Sequence, residues 1–130
     1  MFRVEHAFAH KNLDCVVMHL GTHRCGYVGV PKDHPLYGKS YKEADEKYDI
    51  YAHRGLTFSE SNSKYPIEKK DTWWFGYDCA HAGDTLSNCS LDYCIKECEF
   101  LANSLDEVAI KIRQQKIKSV ASDTPPTIKI

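Results

Sequence analysis

Cys79 and His81 stand two residues apart within Trp73 to His81, WWFGYDCAH. On a strand, residues at that spacing project to the same side, so a thiolate and an imidazole would aim at one point. Such a pair is half of a zinc site, since zinc takes four nitrogen, sulfur or oxygen donors at about 2.0 to 2.3 Å. Two further histidines complete the expected set. His34 lies in a loop stiffened by Pro31 and Pro35, and His53 ends a strand-like run. The expectation is a structural Cys-His₃ zinc centre of His34, His53, Cys79 and His81. Asp78 and Asp84 are spare carboxylates that either orient an imidazole or supply a ligand. His23 and Cys25 repeat the spacing in reverse order, and the two pairs together would make a Cys₂His₂ site. The simpler alternative at either pair is a small buried thiol beside a hydrogen-bonded histidine.

The other cysteines read differently. Cys94 and Cys98 fall on an apolar helical stripe and are expected to pack as small hydrophobes, with Cys89 beside them. His6, His10 and His19 have no partner spacing. No enzyme is expected: HExxH is absent, as is the HxE…PCxxC pattern of nucleotide deaminases. Cys79 with His81 or His53 imitates a nucleophile and its base, but no third group is identified to orient the base. A zinc-bound water served by Asp84 or Asp78 is the hydrolytic alternative.

These residues must be positioned by recognisable elements. Leu13 to Leu20 and His23 to Val30 are apolar and β-branched around Gly21-Thr22, which predicts a β-hairpin. Pro31 and Pro35 frame a loop, Lys42 to Tyr48 suits one exposed helical turn, and Asp49 to His53 alternates as a strand does. The polar stretch Ser59 to Asp71 reads as a mobile loop and Trp73 to His81 as a buried strand, with Trp73, Phe75 and Tyr77 facing the core. Trp74 then points away, a candidate surface anchor or stacking platform near Tyr27, Tyr37 or Tyr41. From about Ser90 to Lys116, apolar residues recur every three or four positions, the stripe of one long helix. Asn88 or Ser90 can cap it, and Ser104 to Glu107 resembles a capping box that the stripe crosses in phase. The fold class expected is α+β: a small, mostly antiparallel sheet on one long C-terminal helix. Residues 1–118 form a single domain, and 119–130, with Pro125 and Pro126, form a frayed tail or short edge strand.

The chain has 130 residues and a mass of 14.9 kDa, and 42% of it is apolar. A domain of that size needs neither disulfide nor metal merely to fold. Its 17 basic and 18 acidic residues leave a net charge of −1, which argues against both a phosphate-backbone binder and an acidic DNA mimic. The opening MFRVEHAFAHKNLD lacks the pattern of a secretory signal, and no run approaches the roughly 18 apolar residues of a membrane span. A cytoplasmic protein with reduced cysteines is expected.

The segments CGYVGVPKDHPLYGKSY, YAHRGLTF and WWFGYDCAHAGD, which lie within a span of about half of the chain, resemble a family of small uncharacterised proteins of phages and prophages. Arg54 stands where that pattern has glycine, HGGLT. The resemblance implies a phage accessory protein that inhibits host defence, similar to zinc-containing anti-CRISPR proteins of streptococcal phages that act on a type II-A Cas9 in the host cell. With balanced charge, such an inhibitor would grip Cas9 by shape, blocking target-DNA loading or cleavage without touching nucleic acid or membrane. Alternatives from other classes are a small zinc-dependent hydrolase or nuclease, and a protein that sequesters a nucleotide signal through its tryptophans and basic helix end.

Overall fold

In the computed structural model, which describes residues 2–61 and 64–123, the elements follow in the order β1 (Arg3–His10), β2 (Leu13–His19), β3 (Arg24–Pro31), α1 (Tyr41–Tyr48), β4 (Phe58–Ser61), β5 (Thr72–Asp78) and α2 (Leu91–Asp123). The strands form one antiparallel sheet ordered β1-β2-β3-β5-β4, with α2 packed on one face. This is the α+β architecture expected of the sequence.

The centre of the sheet is set by how β3 meets β5. Gly26 lies opposite Tyr77, Tyr27 opposite Gly76, and Gly29 opposite Trp74. A Cβ added at Gly26 would overlap the Tyr77 ring, and one at Gly76 would overlap Tyr27. Each glycine is therefore the space its neighbour's ring occupies, and the pairs fix the register because a slip of one residue would set ring against ring. Tyr77 faces α2 and donates a hydrogen bond to the Cys94 carbonyl at 2.9 Å.

Both faces of the central strands are buried. Cys15, Val17, Val28, Phe75 and Tyr77 meet Cys94, Cys98, Leu101 and Leu105 of α2. On the other face Val16, Met18, Cys25, Tyr27 and Trp74 form a second cluster, covered by Phe58, Tyr65 and Ile67. Trp74 is thus fully buried, not a surface platform. The stretch after Ser59 supplies that cover. It begins as strand β4, and Tyr65 packs on Tyr27 and Phe58, with its hydroxyl hydrogen-bonded to that of Tyr27. Polar composition concealed the two apolar side chains that cap the sheet.

Several boundaries differ from expectation. Arg3–His10, for which the sequence pattern predicts no strand, pairs with β2 as an exposed edge strand. Residues 49–53 form no strand: Asp49 adopts a left-handed φ of 53° to close α1, and the Tyr51 N–H donates to the Ser104 hydroxyl. Helix α1 itself has eight residues, with Ser40 accepting the Glu43 N–H at its start. Helix α2 is unbroken at Ser104 and continues through Asp123, past the expected end at Lys116. It is capped by Ser90, whose hydroxyl accepts the Tyr93 N–H. Residues 124–130 of the expected tail lie outside the described residues. Among those described, no helix is long and apolar enough to cross a membrane.

Gly26→Ala is expected to destabilise the fold by about 1 to 3 kcal/mol through overpacking, read as a lower urea midpoint; an unchanged midpoint would show that Tyr77 does not depend on that space.

Candidate metal centre

Strand β5 ends at Asp78, so Cys79 and His81 do not share a strand face. Cys79 makes the last rung, its N–H donating to the Arg24 carbonyl at 2.9 Å. The chain then turns through Gly83, at φ 89°, and the Asp84 N–H returns to the His81 carbonyl. Beyond this turn Asp84 joins Cys79 in a buried cluster that does not include His81. A second turn follows, in which Thr85 and Asn88 exchange side-chain to backbone hydrogen bonds and the Cys89 N–H donates to the Thr85 carbonyl. The Arg24 guanidinium donates to the carbonyls of Leu86 and Cys89, which holds the turn against β3.

His53 arrives from a different turn, in which the Gly55 N–H donates to the Ala52 carbonyl and Arg54 takes a left-handed φ of 58°. That backbone geometry disfavours a side chain by roughly 1 to 2 kcal/mol. Arg54 has compensation, because its guanidinium donates to the Ala82 carbonyl and lies 3.7 Å from the Asp84 carboxylate.

Four donors converge: His53 Nε2, Cys79 Sγ, an Asp84 carboxylate oxygen and Cys89 Sγ, all within 4.8 Å of one another. His53 Nε2 is 3.0 Å from Asp84 Oδ2 and 3.9 Å from Cys89 Sγ. Donors on one tetrahedral zinc ion would stand roughly 3.3 to 3.8 Å apart, so the wider pairs must close and the His53–Asp84 pair must open slightly for one metal ion to bridge all four. The group is largely shielded from water. The His53 and Asp84 side chains are 8% and 3% exposed, and each cysteine is 2% exposed.

Neighbouring groups orient the donors. His53 Nδ1 is 2.6 Å from the Tyr93 hydroxyl, which leaves Nε2 to face the group, the usual arrangement behind a ligating imidazole. Burial pushes the Asp84 carboxyl up, but the bonds from His53 and the His81 N–H, with the charge of Arg54, outweigh it and hold the carboxyl below its ordinary value. The Cys79 thiol is pushed up, first by its contact with Cys94 at 3.8 Å and then by burial, and burial raises Cys89 as well. Both thiols therefore carry protons at neutral pH, and a bound cation would displace them.

Of the residues expected to make the centre, the structure brings together His53 and Cys79. His34 is elsewhere: the Leu36 N–H donates to its Nδ1 at 3.0 Å, so Nε2 carries the proton and donates to the Leu105 carbonyl of α2 at 2.9 Å. Both nitrogens are engaged in pinning the proline-framed loop to the helix. His81 lies outside the four-donor group; its Nε2 is 3.3 Å from Asp78 Oδ1 without hydrogen-bond alignment, and its ring centre is 6.3 Å from that of His53. The alternative pair is not assembled either, since Cys25 is buried on the opposite sheet face and His23 meets Thr22 in an exposed turn. Burial raises the Cys25 thiol to about 11 and the Cys15 thiol to about 12, as suits packing cysteines. Cys89 is the donor that sequence reasoning assigned to packing. Its signal was placement just before the helix cap, where a side chain can face inward without lying on the helical stripe.

Cys79→Ser and Cys89→Ser are each expected to lose most bound metal in elemental analysis of purified protein, while His34→Gln and His81→Gln retain it. Loss of metal in the His81 variant alone would move the centre to that residue. His34 supplies a separate pH dependence. Burial lowers its pKa below 6.5, so the unfolded chain binds the extra proton; stability is full above pH 6.5 and falls as pH drops below it. His34→Gln should flatten that acid slope in thermal melts, and an unchanged slope would exclude His34 as its source. Comparison of the chain with protein-family models, curated proteins and solved structures finds no match, so the chemistry of the site rests on its own donors.

Proposed function

We propose that this chain is a zinc-organised binding domain whose metal is structural and whose activity lies in the surface the metal holds rigid. The observation that carries the reading is the closed group of two thiols, one imidazole and one carboxylate, contributed by His53, Cys79, Asp84 and Cys89. Thiolate and imidazole donors suit zinc better than magnesium or calcium, which favour oxygen. Four protein donors would fill a tetrahedral zinc ion and leave no position for the water that a hydrolase must activate. That supports a binding role over the hydrolase or nuclease alternative.

The biological side of the proposal is supported by the resemblance of residues 25–41, 51–58 and 73–84 to small phage proteins. On that reading the partner is a host defence nuclease of the Cas9 type, bound by shape and not by imitation of nucleic acid, in keeping with a net charge of −1. The nucleotide-sequestering alternative loses its stacking platform with Trp74 buried.

The test is titration of the zinc-loaded chain into a Cas9–guide cleavage reaction. Inhibition should saturate at about one chain per nuclease and weaken in Cys89→Ser. Inhibition at far lower ratios, or cleavage of nucleic acid by the chain alone, would replace the binding reading with an enzymatic one; no inhibition at any ratio would remove Cas9 as the partner.

A further inference from the structure

Helix α2 has two faces of different fate. One packs on the sheet as far as Ile112, and every residue from Arg113 to Ser119 is exposed. Those last turns bury no side chain against the rest of the described chain, although a helical segment that short gains little from its own backbone bonds. The outward face carries a regular row. Phe100, Ser104, Glu107, Lys111, Gln114 and Lys118 are separated by steps of four, three, four, three and four, the spacing of a coiled-coil seam.

The two halves of this row differ in charge. The first half borders an open groove of about 760 Å³ whose opposite wall comes from α1 and the turn after it, including Asp45, Asp49 and Tyr51. Phe100 and Tyr51 are each 48% exposed there, ring edge to ring face at 5.7 Å. With Glu107 the groove is acidic and aromatic. The second half, Lys111, Gln114, Gln115 and Lys118, borders a smaller hollow of about 310 Å³ that is basic and polar.

We propose that a second copy of this chain occupies the groove, the two α2 helices pairing antiparallel about a two-fold axis near the level of Ala109. The sequence is self-complementary under that operation. Glu107 of each copy meets Lys111 of the other, and Ser104 meets Gln114. Farther out, Asn103 meets Gln115, and Lys118 enters the groove beside Phe100, Tyr51, Asp45 and Asp49, where an ammonium finds carboxylates and aromatic faces. The row from Phe100 to Lys118 is about 27 Å long at the helical rise. A seam of that length with few large apolar residues makes a reversible dimer that weakens in salt. This inference is independent of the metal centre.

Sedimentation equilibrium of the full chain tests it. A monomer–dimer equilibrium is expected at low salt, with the dissociation constant raised about tenfold or more at high salt. Lys111→Glu, which sets glutamate against Glu107 twice across the axis, should leave a monomer with unchanged circular dichroism. The swap Glu107→Lys with Lys111→Glu should restore the dimer. A monomer at every concentration in low salt overturns the proposal, and so does a dimer indifferent to Lys111→Glu or a charge swap that fails to restore association.

Discussion

The interlock of rings and glycines between β3 and β5 is the constraint on which the remaining structure depends. Tyr77 lies over Gly26, and Tyr27 lies over Gly76. Because the two tyrosines belong to opposite faces, two adjacent rungs of one strand pair organise both cores. Tyr77 carries the helix side, where its hydroxyl reaches the Cys94 carbonyl, and Tyr27 carries the other, where it gathers Phe58 and Tyr65. The same register places Asp78 opposite Cys25 and makes Cys79 the last rung beside Arg24. Arg24 in turn bonds Glu5 of β1 and the carbonyls before α2. The entrance to the candidate metal centre is thereby fixed by backbone register before any donor is considered.

The centre itself lies where regular structure ends. Its donors come from the turn after α1, the end of β5, the turn beyond it and the residue before the α2 cap. Buried carboxylate and imidazole groups are expensive to hold apart from water, and here they face each other at 3.0 Å, with Tyr93, Arg54 and the His81 N–H taking up their remaining bonds. The buried thiols complete a pocket of polar groups at the junction of the α1–β4 and β5–α2 loops. A cation shared by all four donors would join those loops directly.

Net charge conceals the arrangement along α2. Glu97, Glu99, Asp106 and Glu107 lie in its first half and Lys111, Arg113, Lys116 and Lys118 in its second. Read along one helix, this order sets acidic residues before basic ones, although the last turn, ending at Asp123, holds no basic residue to meet the helix dipole. Seen on the folded domain, it divides an outward row into an acidic part beside α1 and a basic part beyond the sheet. Near-neutrality is therefore compatible with strong local complementarity, a distinction that composition does not make.

What the sequence determined by itself were the features with a period or a steric signature. The three- and four-residue recurrence from Leu91 to Ile112 specified the helix and its buried face, and the apolar runs around Cys15, Val28 and Phe75 specified the central strands. Cys79 stands out for its spacing from His81 and His53 for its place at the end of a strand-like run; the fold brings the two together, although neither lies on a strand. The rest was decided by tertiary structure. Whether Cys79 and His81 share a face depended on where β5 stopped, and the turn at Gly83 replaced His81 with Asp84. His34 went to the Leu105 carbonyl because α2 lay within reach of its loop, and Cys89 became a donor because Arg24 held its turn inward. Spacing along a chain fixes direction only within a regular element; past its end, the path of the turn sets where a side chain points, and that path is determined by long-range hydrogen bonds.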